Sequence, residues 1–158
     1  MNAPATLDRA GIAARIPHRG RMCLLDALLG WSADEIRCRI TNHADADHPL
    51  RRMGGLLAPV AIEYAAQAMA LHAALTAPAG SAPRPGFLAS ARQVRLHVPR
   101  LDDAPGPLTV QATRLAGDGA QALYRFTLHD AQGRPLVDGR AAVGLDSPPG
   151  RPRSGATP

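Results

Sequence analysis

One carboxylate stands inside an otherwise apolar stretch of this sequence, and its type and position could support acid–base chemistry. Glu63 lies within PVAIEYAAQAMALHAALTA, and Gln67 follows four positions later, on the same face of a helix. Burial removes the hydration of a carboxylate, so desolvation would raise the pKa of Glu63 and suit it to act as a general acid. The alternative is a first-turn glutamate that faces solvent and is favoured by the helix dipole.

A histidine that could complement this carboxylate lies in the polar loop ahead of the helix. His48 begins HPLRRMGGLL, and Gly54-Gly55 would let the chain turn back and bring the imidazole towards a Glu63. One imidazole and one carboxyl group form a minimal pair for removing one proton and supplying another. The alternative is a solvated surface histidine, and His43 is the second choice of base.

The start of the helix offers a third group, its backbone N–H donors. The amides near Leu57 and Ala58 should be unpaired, so they could stabilise a carbonyl oxygen on which negative charge develops. Three other side chains are assigned outside the chemistry. We expect His18 to be structural beside the helix, Tyr64 to be a core residue, and His72 to point away from Glu63.

The elements that must position these groups are one helix and six strands. The helix is predicted over 58–76, with Pro59 in its first turn, and it should be buried because it is apolar nearly all round. A short helix capped by Asp8 should run to about Ile16. Alternation and turn residues predict strands over 22–32, 35–41, 87–98, 108–115, 121–129 and 135–144.

This element order predicts an α+β fold, a strongly curved antiparallel sheet wrapped around the long buried central helix. Such a sheet has open edges, and pairing with a second copy would cover one of them. We expect a flexible N-terminus over 1–9, one domain over 10–145, and a disordered Pro/Gly/Arg-rich tail over 146–158.

Composition limits the classes of partner. The chain of 158 residues has a net charge of +5, which suits nucleic acid, a membrane surface or an acidic protein. Aromatic residues are only 3% of the chain, too few for a base-stacking platform, and no nucleic-acid or zinc motif is present. An acidic protein partner is therefore preferred, with a solvated Arg-rich surface as the alternative.

Cysteine use and hydropathy indicate a compartment. Cys23 and Cys38 lie in apolar stretches without a partner motif, as buried free thiols do in a reducing environment. No stretch approaches the roughly 20 apolar residues of a membrane span. We therefore expect a cytoplasmic protein that binds no metal, no membrane and no nucleic acid.

Two segments together resemble a known family. IPHRGRMCLLDAL is similar to the PHRxPFLLxD signature of β-hydroxyacyl-ACP dehydratases of the hotdog superfamily, and HPLRRMGGLLAPVAIEYAAQAMA is similar to their H-F-P-x-x-P-x-x-P-G-x-x-x-x-E-A-x-A-Q motif. With PGFLASARQVRLHV added, the chain resembles the ApeP-like branch, which is associated with aryl polyene and xanthomonadin-type pigment clusters. The resemblance covers about residues 10–145 and implies the hotdog fold.

The resemblance implies a 3-hydroxyacyl-[acyl carrier protein] dehydratase. Glu63 and Gln67 match the family's helix motif, and His48 matches its catalytic histidine, although Glu63 follows it by fifteen positions rather than the family's fourteen. Leu57 and Ala58 replace the Pro-Gly that binds the thioester carbonyl, so the Ala58 amide would take that role.

In the resembled family, His and Glu of one site come from different subunits. The resemblance therefore implies a homodimer or a heterodimer with a related hotdog subunit, with the substrate brought on the phosphopantetheine of an acyl carrier protein and no other cofactor. Two alternatives stay open: an acyl thioesterase of the same fold, and a non-catalytic hotdog subunit that partners an active dehydratase. The altered HPLRRMGG loop keeps the second of these open.

Overall fold

Period-two alternation builds the sheet of this protein. In the computed structural model, which describes residues 6–80 and 86–144, Ile36, Cys38 and Ile40 are buried, whereas the intervening Arg37 and Arg39 are exposed. This one-sided burial is typical of an antiparallel sheet that covers a core with one face and meets water with the other. The sheet has seven strands: β1 (Leu7–Asp8), β2 (Ala27–Trp31), β3 (Glu35–Ile40), β4 (Phe87–Leu96), β5 (Leu108–Gly117), β6 (Gln121–His129) and β7 (Pro135–Gly144).

The strands form one antiparallel sheet in the order β1-β2-β3-β5-β6-β7-β4. Turns at Asp118 and at Gly133, which has a φ of +80°, join β5 to β6 and β6 to β7, as the sequence predicts. The two edges are unequal, because β1 has two residues and β4 has ten.

The long helix α2 (Ala61–Thr76) fills the concave side of this sheet. It contacts five strands, β3 to β7, so the sheet curves around it as the predicted α+β arrangement requires. Of its sixteen residues only Ala74 is exposed. Alanines such as Ala65 and Ala68 let strands approach closely, and the large rings of Tyr64, Tyr124 and Phe126 fill the remaining space.

A short 3-10 turn, Ala58–Val60, precedes α2, so the predicted helix over 58–76 is one continuous helical segment with a tighter first turn. The short helix α1 (Arg9–Ala13) begins as predicted, because the Asp8 carboxylate accepts a hydrogen bond of 2.9 Å from the Gly11 amide. It ends before the predicted Ile16.

The predicted first strand, over 22–32, is wrong in its first half. Cys23, Leu24 and Leu25 are consecutively buried and do not alternate, and the Leu24 N–H donates to the side chain of Gln67 instead of to a neighbouring strand. Strand β2 therefore starts only at Ala27. Leu7 and Asp8, placed in the flexible N-terminus by the sequence, instead pair with β2.

The predicted free thiols are both buried, and burial raises the pKa of Cys38 to about 12. In the described part of the chain, no helix has the length and apolar character needed to cross a membrane. The predicted C-terminal tail over 146–158 lies outside the described residues.

Candidate functional site

The start of α2 is held in place by a contact that sequence reasoning missed. The buried carboxylate of Asp102 accepts 2.9 Å hydrogen bonds from the Leu56 amide and from Nε of Arg100. These bonds also hold the pKa of Asp102 well below its usual range, chiefly through Arg100. Because Leu56 lies just before the 3-10 turn, this cluster fixes the chain where it enters the helix. No motif in the sequence pairs Asp102 with residue 56.

Glu63 lies in the first turn of α2, and its carboxylate is held between two side chains. Nε2 of Gln67 donates to Oε1 of Glu63 at 3.1 Å, which confirms the predicted contact one helical turn apart. Nε2 of His18 lies 3.2 Å from the same oxygen. The glutamate side chain keeps 33% of its surface exposed, so the group is open to solvent on one side.

Gln67 is itself rigidly placed. It is fully buried, its Oε1 accepts the Leu24 amide at 2.9 Å, and its Nε2 donates to the Met22 carbonyl at 2.7 Å. Since the Leu24 N–H can only donate, the amide orientation is determined, and the NH2 group must face Glu63. Gln67, predicted to bind substrate, is thus buried and contacts Glu63 through its NH2 group.

The electrostatics of Glu63 differ from the sequence expectation. The His18 hydrogen bond is the main cause that lowers the pKa of Glu63, and the Gln67 hydrogen bond adds to it. Desolvation acts in the opposite direction but is smaller, because a third of the side chain meets water. The predicted raised pKa is therefore wrong, and Glu63 is held as a carboxylate.

His48 is buried in a different set of contacts. Its Nδ1 accepts the Leu50 amide at 3.0 Å, so the proton lies on Nε2, which donates to the Tyr64 hydroxyl at 2.9 Å. That hydroxyl in turn donates to Oδ1 of Asn42 at 2.7 Å. Burial is the main cause that lowers the pKa of His48 and keeps the ring neutral. Within one chain, the hydrogen bonds of the described residues do not connect His48 to Glu63.

The helix start does not offer all the free donors that the sequence predicts. The Ala58 N–H donates to the Pro99 carbonyl at 3.1 Å, because the segment after β4 runs alongside residues 56–58. The expectation of an unpaired Ala58 amide is therefore wrong. Leu57 forms an isolated bridge with Arg100 and leaves a partly exposed apolar side chain beside the helix start.

Two other histidines, His72 and His43, form hydrogen bonds elsewhere in the fold. His72 donates from Nε2 to the Ser32 carbonyl and accepts the Tyr124 hydroxyl at Nδ1, so it points away from Glu63 as predicted. His43 is buried and donates to the Ala104 carbonyl. The imidazole beside Glu63 is thus that of His18. In the sequence, only the flanking proline and arginine of the PHR motif marked His18.

No metal centre marks the site within the described ranges. Residues 6–80 and 86–144 hold no group of three or more His, Cys, Asp or Glu side chains able to bind a metal ion. An open depression lies on the sheet instead, between β4 and the β5–β6 hairpin, lined in part by Ser90, Arg92 and Arg140. None of the predicted site residues lines it. Glu63 keeps a third of its side chain exposed to solvent.

Comparison with solved structures identifies the fold. The chain matches the dehydratase heterocomplex ApeI:P from Xenorhabdus doucetiae with a TM-score of 0.77 at 25% identity, over 86% of this chain and 91% of that one. It also matches zebrafish thioesterase superfamily member 2, with a TM-score of 0.61 at 15% identity over 88% and 99% of the two chains. A Haemophilus influenzae thioesterase matches with a TM-score of 0.56 at 14% identity over 74% and 75%. The predicted hotdog fold is confirmed.

Comparison with curated protein sequences gives no match. A family model described as ApeP-like, ApeP dehydratase, matches residues 10–146. That span contains the PHR segment, Glu63 with its two hydrogen-bond donors, and every strand from β2 to β7. On this match, over most of its length, the chain belongs to the ApeP-like dehydratase family.

Proposed function

We propose that this chain eliminates water from a 3-hydroxyacyl thioester carried on an acyl carrier protein, giving a trans-2-enoyl thioester. The observation that carries the proposal is the Glu63 carboxylate, with one oxygen fixed by His18 and Gln67 and one side open to solvent. Membership of a dehydratase family supports elimination as the reaction. A carboxylate in this setting is a competent proton-transfer group.

In the proposed reaction the ionised Glu63 removes the proton from C2 of the substrate. The electron pair forms the C2–C3 double bond as the C3–O bond breaks. The carboxylic acid just formed returns its proton to the departing hydroxyl, which leaves as water. The sequence assigned Glu63 only the second step, as an acid, but its lowered pKa supports a start from the carboxylate.

His48 is the second proposed catalytic residue, but its hydrogen bonds limit which role its ring can take. A base needs a free lone pair, and the Leu50 amide occupies Nδ1. The Nε2–H, once released from Tyr64, can instead donate to the thioester carbonyl, a role that a neutral imidazole fills. It would replace the Ala58 amide, which is already bonded. For His48 to act as the base predicted from the sequence, the Leu50 amide must first stop donating to its Nδ1.

The proposed site is shared with a second hotdog subunit, as in the resembled family. Strand β4 supports this, because it is a ten-residue edge strand with two exposed leucines, Leu88 and Leu96, and a long exposed edge invites pairing. The Xenorhabdus doucetiae structure is itself a complex of two different dehydratase chains. Leu57, beside the helix start, is proposed to contact the acyl group.

An acidic carrier protein is the proposed source of the substrate. Arg92, Arg140 and Arg125 are direct cross-strand neighbours on β4, β7 and β6, and all three are exposed. Like charges placed opposite one another are unfavourable, and no carboxylate in the described ranges forms an ion pair with them. The strand spacing of about 4.8 Å approaches the separation of carboxylates one turn apart on a helix. An acidic helix lying across these strands would therefore neutralise the row.

Two other functions are each favoured by one observation. A thioesterase needs an ionised carboxylate to activate water, and Glu63 is in that state. A non-catalytic partner subunit is favoured by the engagement of both ring nitrogens of His48. The three functions predict different outcomes with one substrate.

The test is incubation of the purified chain with a 3-hydroxyacyl carrier protein, followed by intact-mass analysis. Loss of one water supports the dehydratase, release of free acid supports the thioesterase, and an unchanged acyl group supports the non-catalytic subunit. Glu63→Gln should reduce dehydration by about 10²–10⁴-fold. Glu35→Gln is the matched control, because Glu35 is the only other glutamate and lies on β3. Equal activity of the two variants would make Glu63 structural.

A further inference from the structure

The two oxygens of the Glu63 carboxylate have different surroundings. Oε1 accepts from His18 at 3.2 Å and from Gln67 at 3.1 Å. Oε2 has no hydrogen-bond partner among residues 6–80 and 86–144, and a third of the side chain is exposed to solvent. A carboxylate fixed at one oxygen presents the other in a constant direction, so only Oε2 is available for proton exchange.

The two donors are anchored from different parts of the fold. Gln67 is on α2 and is held by the backbone at Met22 and Leu24. His18 follows α1, where Arg19 bonds back to the Ile16 carbonyl at 2.9 Å and fixes the turn. The His18 ring is 24% exposed and its Nδ1 is buried without a partner, so its one hydrogen bond in the described structure is the bond to Glu63.

We propose that His18 is a positioning residue of this site, whose Nε2–H holds Oε1 of Glu63 so that Oε2 exchanges the proton with the substrate. The inference rests on the proposed dehydratase function for its kinetic consequence, but the contact itself can be tested without turnover. It gives the PHR segment a part in the chemistry, where the sequence assigned His18 a structural role.

The loss of His18 should change the pKa of Glu63 in a known direction. His18 is the largest cause of the lowered pKa of Glu63, so its loss should raise that pKa. A carboxylate base works only above its pKa, and the acid limb of the kcat profile should therefore move to higher pH in His18→Ala. Because Oε1 also loses one of its two anchors, kcat should fall by about 10- to 100-fold with KM little changed.

The experiment follows the Glu63 carboxyl carbon by 13C NMR across a pH titration, alongside pH–rate profiles. The wild type, His18→Ala and His18→Gln are compared, because the glutamine amide can place a donor near the position of Nε2. We expect the titration midpoint of Glu63 to rise in His18→Ala and to return towards the wild-type value in His18→Gln. The glutamine variant also provides the comparison if the alanine variant fails to fold. His97→Ala is the control, because it breaks a similar pair, His97–Asp138 at 2.6 Å, and should leave the Glu63 midpoint unchanged.

The outcomes separate this inference from the proposed function. If the midpoint shifts as expected but no variant or wild-type protein dehydrates the substrate, the positioning contact stands and the proposed function fails. If the wild type dehydrates and the Glu63 midpoint is the same in His18→Ala, the inference is overturned and the function stands. A kcat loss in His18→Gln equal to that in His18→Ala, with no recovery of the midpoint, would also overturn it.

Discussion

Nε2 of His48 lies 2.9 Å from the hydroxyl oxygen of Tyr64, the residue that follows Glu63 in α2. Consecutive residues project about 100° apart around a helix, so Tyr64 points into the core while Glu63 stays at the surface. The polar loop before α2 is thereby tied to the buried face of the helix, and the tie continues through Tyr64 to Asn42. His48 therefore contacts the buried side of the first turn of α2, whereas Glu63 lies on its exposed side.

The first prediction concerns that tie. Tyr64→Phe should lower the free energy of unfolding by about 1–3 kcal/mol, because the buried His48 Nε2–H and the Asn42 oxygen both lose a partner. Chemical denaturation measures the loss, and the 15N signals of His48 should change. Tyr124→Phe is the matched control, since it removes the bond to His72 and should leave the His48 signals unchanged. Unchanged His48 signals in Tyr64→Phe would contradict the tie.

The second prediction distinguishes the histidines by turnover. His48→Ala should remove most dehydration per folded molecule, a loss on the order of 10²-fold or more, if its imidazole acts on the substrate. His43→Ala should keep turnover, because His43 bonds the Ala104 carbonyl outside the site. Steady-state kinetics on folded fractions provides the measurement. Wild-type turnover in His48→Ala would assign the chemistry to Glu63 and leave His48 as a structural residue.

The third prediction is a loss of stability in mild acid. Burial lowers the pKa of His48 and of His72 below the ordinary value of 6.5, so the folded rings stay neutral where the unfolded chain binds protons. Stability must then fall as pH drops below about 6.5. The lowered pKa of Glu63 adds a further loss at lower pH, as its carboxylate is protonated. Denaturation curves between about pH 7.5 and pH 5 measure the slope, and a flat profile would contradict the neutral buried rings.

The fourth prediction concerns the β4 edge. Replacing both Leu88 and Leu96, 41% and 49% exposed, with lysine should weaken association of the chain, because lysine on an edge strand opposes pairing. Sedimentation velocity over a range of concentrations measures the effect. Leu29→Lys on β2, 38% exposed, is the control and should not alter association. If the double variant associates as the wild type does, another surface carries the contact.

The sequence alone predicted most of the secondary structure, because that structure depends on local patterns. The alternation through β3, the turns at Asp118 and Gly133, and the apolar run of α2 each carry their signal within a few residues. Gln67 was likewise predicted to reach Glu63, since a spacing of four fixes neighbours on one helix. The segment at Cys23 was mispredicted because burial there follows tertiary contacts instead of strand alternation.

Only the tertiary structure decided which groups surround Glu63. His18 lies 45 positions away in the chain, and its approach depends on how the segment that follows α1 packs against α2, which no local pattern encodes. That contact in turn reversed the expected pKa shift, because two hydrogen-bond donors outweigh partial desolvation. The same long-range packing placed Pro99 against Ala58 and Tyr64 against His48. Amino-acid types and spacing thus identified the reactive carboxylate, and three-dimensional packing set its partners and its charge.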